Sequence, residues 1–232
     1  MPGTNYYSDR LSASRLKRCY DIASSRIRQY LEAEIQFVLK HIKETDTVLE
    51  LGCGYGRVLA RLAWKAGTVH GIDTSKDSLQ LAKEFLRDIS NVKLYEMNAG
   101  SLDFEKRMFD VVIAIQNGIS AFKVDPRVLV KESLRVTKDG GKILLSSYSA
   151  NIWEERLEWF IRQSKEGLLG EINFEKTGAG TIICKDGFKA TTYTAEDFSR
   201  LISEMKLEAN IEEIDQSSIF CTIQVNRQAL QR

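Results

Sequence analysis

The chain is poor in the residues that crosslink small secreted proteins or build metal sites. Its 232 residues include only four cysteines and two histidines. The cysteines, Cys19, Cys53, Cys184 and Cys221, are scattered and form no C-x-x-C pair. This pattern argues against disulfides, predicts no bound metal and fits a reducing, cytoplasmic setting. With only two prolines, the chain also has no proline-rich linker that would divide it.

Neither a one-sided charge nor a long hydrophobic run directs the chain to nucleic acid or to a membrane. Its 33 basic and 32 acidic side chains nearly cancel, so no overall field attracts it to polyanions. The longest apolar runs are too short to span a bilayer, and residues 1–5 lack the core of a signal peptide. We therefore expect no membrane partner and disfavour nucleic acid, while a homodimer stays open.

Glycine, in contrast, is concentrated where it can shape a binding site. Residues 48–56 read Val-Leu-Glu-Leu-Gly-Cys-Gly-Tyr-Gly, an apolar run, an acid and three alternate glycines. This order is typical of a buried parallel strand that ends in a tight turn and continues into a helix. The spacing differs from the G-x-G-x-x-G of dinucleotide-binding turns. It therefore favours a ligand without a phosphate, although a plain tight turn would also use glycine.

The next strand ends in an acidic residue, and its distance from the glycine turn is informative. Residues 68–73 read Thr-Val-His-Gly-Ile-Asp, and Asp73 lies about twenty residues after the glycine turn. Open α/β sheets place a carboxylate there to accept hydrogen bonds from ribose hydroxyls. The alternative is that Asp73 caps the next helix, but Thr74 or Ser75 can do so instead.

These two segments resemble motifs I and II of the class I S-adenosylmethionine-dependent methyltransferases. The resemblance continues through residues 95–102, 109–115 and 134–145, and it covers about the first two thirds of the chain. It implies an α/β fold: a doubly wound, seven-stranded, mostly parallel Rossmann-like sheet with one antiparallel strand. It also implies S-adenosylmethionine as the cofactor.

The spacing of apolar residues predicts the helices and strands around this sheet. We predict helices over 12–22 and 26–42, which form an N-terminal helical lid within residues 1–43. Strands and helices then alternate up to a strand over 141–147. Short strands over 171–176, 181–184 and 187–192 form a small β insertion (168–192) after strand 5. Residues 44–232 are read as the methyltransferase domain, and the whole chain as one structural domain.

The resemblance also suggests which residues contact the cofactor. Gly52 and Gly54 would line its methionine part, with Glu50 at the turn or the amino group, and Asp73 would hold the ribose. Asn98 stands where the family usually has Asp, and its amide oxygen can still accept a hydrogen bond without charge. Arg26 would pair with the cofactor's carboxylate, or else belong to a solvated basic face. The full predicted set is Tyr20, Arg26, Glu50, Gly52, Cys53, Gly54, Asp73, Thr74, Asn98, Ala99 and Gln116, with Cys53 read mainly as a packing residue.

No acid–base constellation stands out, and none is required. There is no H-E-x-x-H, no G-x-S-x-G and no phosphate-binding lysine loop. A sulfonium is already an activated leaving group, so a methyltransferase mainly aligns its reactants and excludes water. The catalytic residue therefore stays unknown, with Gln116, Asn117 and Tyr148 as candidates. The substrate candidates are Tyr7, Asn117, Tyr148 and Trp153, and packing is the alternative for the aromatic ones.

The function expected from the sequence is methyl transfer from S-adenosylmethionine to a small-molecule acceptor. Two alternatives remain at this point: a protein or RNA methyltransferase, and a non-catalytic scaffold that keeps the cofactor fold.

Overall fold

A computed structural model describes residue 6 and residues 10–226 of the chain. Its helices are α1 (Ala13–Asp21), α2 (Ser25–Lys40), α3 (Arg57–Leu62), α4 (Lys76–Phe85), α5 (Gly118–Ala121), α6 (Pro126–Val136), α7 (Trp153–Lys165) and α8 (Ala195–Glu204). Its strands are β1 (Thr47–Leu51), β2 (Thr68–Asp73), β3 (Val92–Glu96), β4 (Phe109–Ala114), β5 (Thr137–Tyr148), β6 (Thr181–Ile183), β7 (Lys189–Thr191), β8 (Ala209–Ile214) and β9 (Ser218–Gln224). A 3₁₀ turn, Ala150–Ile152, leads into α7.

Seven strands form one sheet in the order β3-β2-β1-β4-β5-β9-β8. The first five of these pair in parallel, and β9 runs antiparallel to both of its neighbours. The chain order reverses between β1 and β4, and at such a switch point a crevice opens beyond the carboxyl ends of the strands. The predicted fold class is confirmed.

Apolar side chains cover both faces of this sheet because its central strands are buried on both sides. β1 and β4 carry near-continuous apolar runs, as parallel strands between two helical layers do. The long helix α2 belongs to one of these layers. Ser24 caps it by accepting the Ile27 N–H, and its Phe37 ring packs 4.3 Å from the ring of Phe220 on β9.

Helix α1 lies across the carboxyl end of the sheet and forms the lid. The Ala13 N–H donates to Ser78 Oγ on α4 at 2.9 Å. The Arg15 guanidinium donates to the Gly167 and Leu168 carbonyls, and Arg18 pairs with Glu166 at 2.8 Å. The lid is therefore held between α4 and the segment after α7.

Two predicted strands differ from the structure, and one short helix was not predicted. Residues 171–176 form no strand, because only Ile172 bridges to Cys184 and a turn follows. β5 begins at Thr137 rather than at 141, since a bulge opposite β4 and a left-handed Gly140 (φ +77°) keep the apparent turn within the strand. The four-residue helix α5 has no apolar period and was not predicted. Among the described residues, no helix is both long and apolar enough to cross a membrane.

Candidate functional site

A cleft lies beyond the carboxyl ends of β1, β2 and β4, beneath the lid. It encloses about 150 Å³ and opens into a wider mouth. Nine of the eleven residues predicted to contact the cofactor line it: Tyr20, Glu50, Gly52, Gly54, Asp73, Thr74, Asn98, Ala99 and Gln116. The parallel register of β1 on β2 and β4 brings these distant segments to one edge.

The glycine turn needs glycine for two reasons. Gly52 and Gly54 have φ values of +73° and +54°, in the left-handed region that side chains disfavour. A Cβ on Gly52 would also collide with the Phe122 ring, and one on Gly54 would come within 3.0 Å of Leu16 on the lid. The turn therefore presents bare backbone to the cleft.

Asp73 ties the second strand to this turn. Its Oδ2 accepts the Gly54 N–H at 2.9 Å, and its Oδ1 accepts the Ser75 N–H at 2.8 Å. Ser75 in turn caps α4 through the Ser78 N–H. Burial raises the pKa of Asp73 despite these bonds. A carboxylate has about four acceptor sites, so Asp73, which lines the cleft, can accept hydroxyl hydrogen bonds beside these two.

Glu50 is the most exceptional group in the cleft. Its side chain is 4% exposed, and its Oε2 is buried without a hydrogen-bond partner. Burial raises its pKa from 4.5 to about 8, and nearby Asp73 raises it further, while Arg57 opposes the shift. A buried carboxylate without a direct partner is costly, and such groups mark functional sites.

Asn98 and its neighbours form the far wall of the cleft. The Asn98 Oδ1 accepts the Gly100 N–H at 2.7 Å, which fixes the orientation of the amide. Ile72 and Met97 lie beside it and are apolar. This wall can hold a flat heterocycle between apolar side chains and one polar edge.

Gln116 and Asn117 stand in strained backbone at the end of β4. Both have left-handed φ values, +56° and +65°, a conformation that non-glycine residues adopt mainly where surrounding contacts impose it. The Gln116 N–H donates to buried Glu34 and to Ser146 Oγ. The Asn117 side chain instead bonds Ser147 Oγ and the Thr191 carbonyl. Gln116 therefore faces the cleft, while Asn117 anchors β4 to β5 and to the insertion.

A narrower cavity, called here the inner cavity, adjoins the cleft. It shares Leu11, Leu16, Tyr20 and Gln116 with the cleft and continues between the lid and α7. Its other walls include Tyr30, Tyr148, Trp159 and Phe160. Tyr148, a sequence candidate, thus lies at this cavity.

Four of the predicted residues that the structure describes line neither cavity: Arg26, Cys53, Asn117 and Trp153. The Arg26 guanidinium pairs with Asp215 at 2.6 Å and bonds two carbonyls of the β8–β9 turn, so its donors are used away from the cleft. The Cys53 thiol packs against Gly71 on β2. Trp153 packs near Arg156, 5.7 Å from its guanidinium carbon, and lines neither cavity. Tyr7 lies outside the described residues.

The sequence did not single out several residues that shape the site. Phe122 has no periodic neighbours, yet its ring covers Gly52 and Gly118. Arg57 places its guanidinium carbon 4.5 Å from the centre of the Tyr20 ring, with Nε and Nη2 buried and unpartnered. The only available signal for Arg57 was its place directly after the glycine turn. Glu34 was hidden within an otherwise apolar helix face.

Comparison with known proteins identifies the class. Residues 48–141 match the family model of a methyltransferase domain. The uncharacterized protein MJ1252 of Methanocaldococcus jannaschii is 29% identical over 89% of this chain and 75% of its own length. The demethylmenaquinone methyltransferase of Bacillus licheniformis is 32% identical over 46% of each chain. A Methanococcus maripaludis structure described as a putative S-adenosylmethionine-dependent methyltransferase superposes with a TM-score of 0.67 and 15% identity, covering 97% of both chains.

The fold is that of the class I S-adenosylmethionine-dependent methyltransferases, and residues 48–141 match a methyltransferase domain. S-adenosylmethionine is the cofactor of these enzymes. The cleft fits it, because the unpartnered Glu50 Oε2 suits a cationic amine, and Gly52, Gly54 and the Asp73 carboxylate line the same cleft. The alignment spans less than half of the demethylmenaquinone methyltransferase, so it carries no substrate assignment by itself.

The glycine turn yields a test with a matched control. We expect Gly54→Val to weaken S-adenosylhomocysteine binding at least tenfold in isothermal titration calorimetry, because the added side chain meets the lid and the ligand space. Gly140→Val carries comparable left-handed strain (φ +77°) with nothing within 4 Å of its Cβ. Both variants should lose some thermal stability, but Gly140→Val should bind normally. Equal affinities for both variants would contradict this placement of the cleft.

Proposed function

We propose that this protein transfers a methyl group from S-adenosylmethionine to a small-molecule acceptor that binds under the N-terminal lid. The observation that carries the proposal is the unpartnered Glu50 Oε2, buried in a cleft with the glycine turn and Asp73. An ammonium group is the natural partner for such a carboxylate, and paired hydroxyls are the natural partners for Asp73. An amino acid joined to a ribose carries both.

In this proposal each wall of the cleft has a distinct task. Glu50 accepts from the cofactor's amino group, Asp73 accepts from the ribose hydroxyls, and Asn98 with Ala99 meets the adenine edge. Tyr20, stacked on Arg57, and Leu16 cover the reacting end from the lid side. Arg26 does not bind the cofactor's carboxylate in this proposal, because its guanidinium pairs with Asp215.

The bound cofactor supplies an electrophilic methyl group on a positively charged sulfur. The protein holds the acceptor in line and keeps water out, and such positioning can account for much of a rate enhancement. Neither cavity brings a histidine into its wall, and burial lowers the pKa of His70 to about 4. We therefore assign no histidine as general base. The acceptor's lone pair would form the bond to the methyl carbon while the bond from that carbon to sulfur breaks, and S-adenosylhomocysteine would leave. A proton that the acceptor loses would pass to solvent through the mouth of the cleft.

The enclosed geometry favours a small acceptor over the alternatives. The inner cavity lies under the lid and is walled by buried side chains, which leaves little access for a folded protein or an RNA strand. The demethylmenaquinone methyltransferase relative is named for a small-molecule acceptor, which is in keeping with this choice. If the protein transfers no methyl group, the alternative is a scaffold without activity.

The direct test is methyl transfer. Protein incubated with methyl-tritiated S-adenosylmethionine should label a small-molecule extract and should leave peptide and RNA fractions unlabelled. Label in the peptide or RNA fraction would mean that the acceptor is a peptide or an RNA rather than a small molecule. Cofactor binding without any transfer would favour the scaffold, and no binding of S-adenosylhomocysteine would refute the proposal.

Asp73 can be tested with a neighbouring carboxylate as control. Asp73→Ala should lower S-adenosylhomocysteine affinity by at least tenfold, because about two charge-assisted hydrogen bonds of roughly 1.5–3 kcal/mol each are lost. Asp77→Ala removes an exposed acid in the first turn of α4 and should bind normally. Calorimetric titration measures both, with circular dichroism as the check of folding. Unchanged affinity in folded Asp73→Ala would reject the ribose assignment.

Glu50 makes stability depend on pH with a defined sign. Because burial raises its pKa from 4.5 to about 8, the folded protein holds a proton that the unfolded chain has released between these values. The free energy of unfolding therefore falls as pH rises through this window. Glu50→Gln removes this contribution, so its Tm should fall less than that of the wild type between about pH 5 and pH 8.

Glu34, whose pKa burial raises to about 7, is present in both proteins and cancels in the comparison. Saturating S-adenosylhomocysteine should reduce the difference, because its ammonium group stabilises the Glu50 carboxylate. Parallel pH profiles of wild type and Glu50→Gln in differential scanning calorimetry would contradict the assignment.

A further inference from the structure

The inner cavity has features that select one kind of occupant. It adjoins the cofactor cleft, and Tyr20 and Gln116 line both. In the proposed function a molecule inside it would therefore lie beside the reacting end of the cofactor. Its walls are four aromatic rings, Tyr30, Tyr148, Trp159 and Phe160, completed by aliphatic side chains and Gln163. Trp159 is fixed because its Nε1–H donates to the Cys19 carbonyl at 2.8 Å.

The rings are arranged as tilted and edge-to-face pairs rather than as a disordered apolar lining. Tyr30 and Tyr148 lie 5.3 Å apart, and Trp159 meets Phe160 edge to face at 5.8 Å. Tyr20 extends this set across the boundary to the cleft, 6.2 Å from Trp159. A further aromatic ring can pack against them in the same offset geometry. The cavity encloses about 60 Å³, so lining side chains must move to admit the ring.

No charged side chain lines the inner cavity among the described residues. Burial raises the pKa of Tyr148 to about 12 and that of Cys19 to about 12, so both stay neutral. Three charges lie behind the walls. Arg57 stacks 4.5 Å from the Tyr20 ring centre with Nε and Nη2 unpartnered, but it lines neither cavity. The other two charges are engaged. Arg156 stacks 4.1 Å from the Tyr148 ring centre and donates to Thr192 Oγ1, and Glu34 accepts from Ser218 Oγ and the Gln116 N–H.

Two polar atoms of the wall have no partner. The Gln116 Oε1 accepts from the Tyr20 hydroxyl at 3.4 Å, and the opposite end of the amide, Nε2, is buried without a hydrogen bond. The Tyr30 hydroxyl is likewise buried and unpartnered. Unmade hydrogen bonds of this kind are unfavourable, so a ligand oxygen that satisfies them gains affinity.

We propose that the inner cavity is the acceptor site, and that the acceptor is an uncharged, planar aromatic molecule with an oxygen that accepts a hydrogen bond from Gln116 Nε2. This inference rests on the proposed function for the reaction, but the cavity's ligand class can be measured separately. A charged group would have to be buried against aromatic and aliphatic walls without a counter-ion, which is strongly unfavourable. A saturated ring would lose the offset contacts with the aromatic walls.

The probe is para-cresol, titrated calorimetrically at neutral pH into protein saturated with S-adenosylhomocysteine. We expect measurable binding of para-cresol, with para-hydroxybenzoate and para-hydroxybenzylamine at least tenfold weaker because each adds a charge to the same ring. Cyclohexanol should also bind more weakly. Absence of para-cresol binding, or equal affinity for the charged analogues, would overturn the proposal.

Two variants locate the site. Cys19→Phe fills the inner cavity from a residue that does not line the cleft, so it should abolish para-cresol binding and retain S-adenosylhomocysteine binding. Gln116→Leu removes the amide donor at similar size, so it should weaken para-cresol about five- to tenfold and leave toluene binding unchanged. Wild-type affinity for para-cresol in folded Cys19→Phe, or equal losses for para-cresol and toluene in Gln116→Leu, would reject the site.

The same titrations without S-adenosylhomocysteine separate the two proposals. If S-adenosylhomocysteine does not bind, the proposed function fails, while selective para-cresol binding that Cys19→Phe abolishes would still support the cavity's ligand class. If S-adenosylhomocysteine binds and para-cresol does not, only the inference about the acceptor fails. Should Cys19→Phe not fold, the Gln116→Leu comparison with toluene decides.

Discussion

A carboxylate without a direct partner is the constraint around which this site is organised. Glu50 sits at the end of β1, where neighbouring strands exclude water from it. Arg57 lies close enough to oppose the rise in its pKa, but it makes no hydrogen bond to Glu50 Oε2. The protein therefore folds with part of the carboxylate's interactions unmade. A ligand bearing an amine completes them, which links cofactor binding directly to the stability of the strand end.

Asp73 shows how the same edge combines structure and binding. Its two hydrogen bonds to backbone N–H groups close the glycine turn on one side and start α4 on the other. The turn cannot move without disturbing the helix cap. This coupling makes the two recognition elements of the cleft one rigid unit, as expected where binding depends on prior organisation.

The sequence was most informative where local chemistry dictates structure. Alternate glycines after a buried strand and an acid at the next strand end predicted the cleft and most of its lining, because parallel strands must meet at one edge. Contacts made over long distances in the chain were not predictable. Apart from the place of Arg57 directly after the glycine turn, nothing local distinguishes it from Arg26. Arg26 pairs with Asp215 across the fold, while Arg57 stacks on Tyr20. Phe122 and Glu34 likewise gain their places only from the packing of remote segments. Residues 171–176 look like a strand but find no partner along their length.

The contacts that hold the lid in place are more exposed than those inside the cleft. Helix α1 and the residues just before it cover the ligand space. Several of the contacts that hold them are ion pairs and hydrogen bonds to carbonyl groups at the surface. Examples are the pairs of Arg18 with Glu166 and of Arg10 with Asp186. Exposed pairs of this kind are individually weak and are screened by salt over about 8–10 Å. Ionic strength therefore acts on the opening of the cover more than on the buried contacts beneath it. The residence time of a bound molecule, and with it the affinity, would then depend on the salt content of the medium.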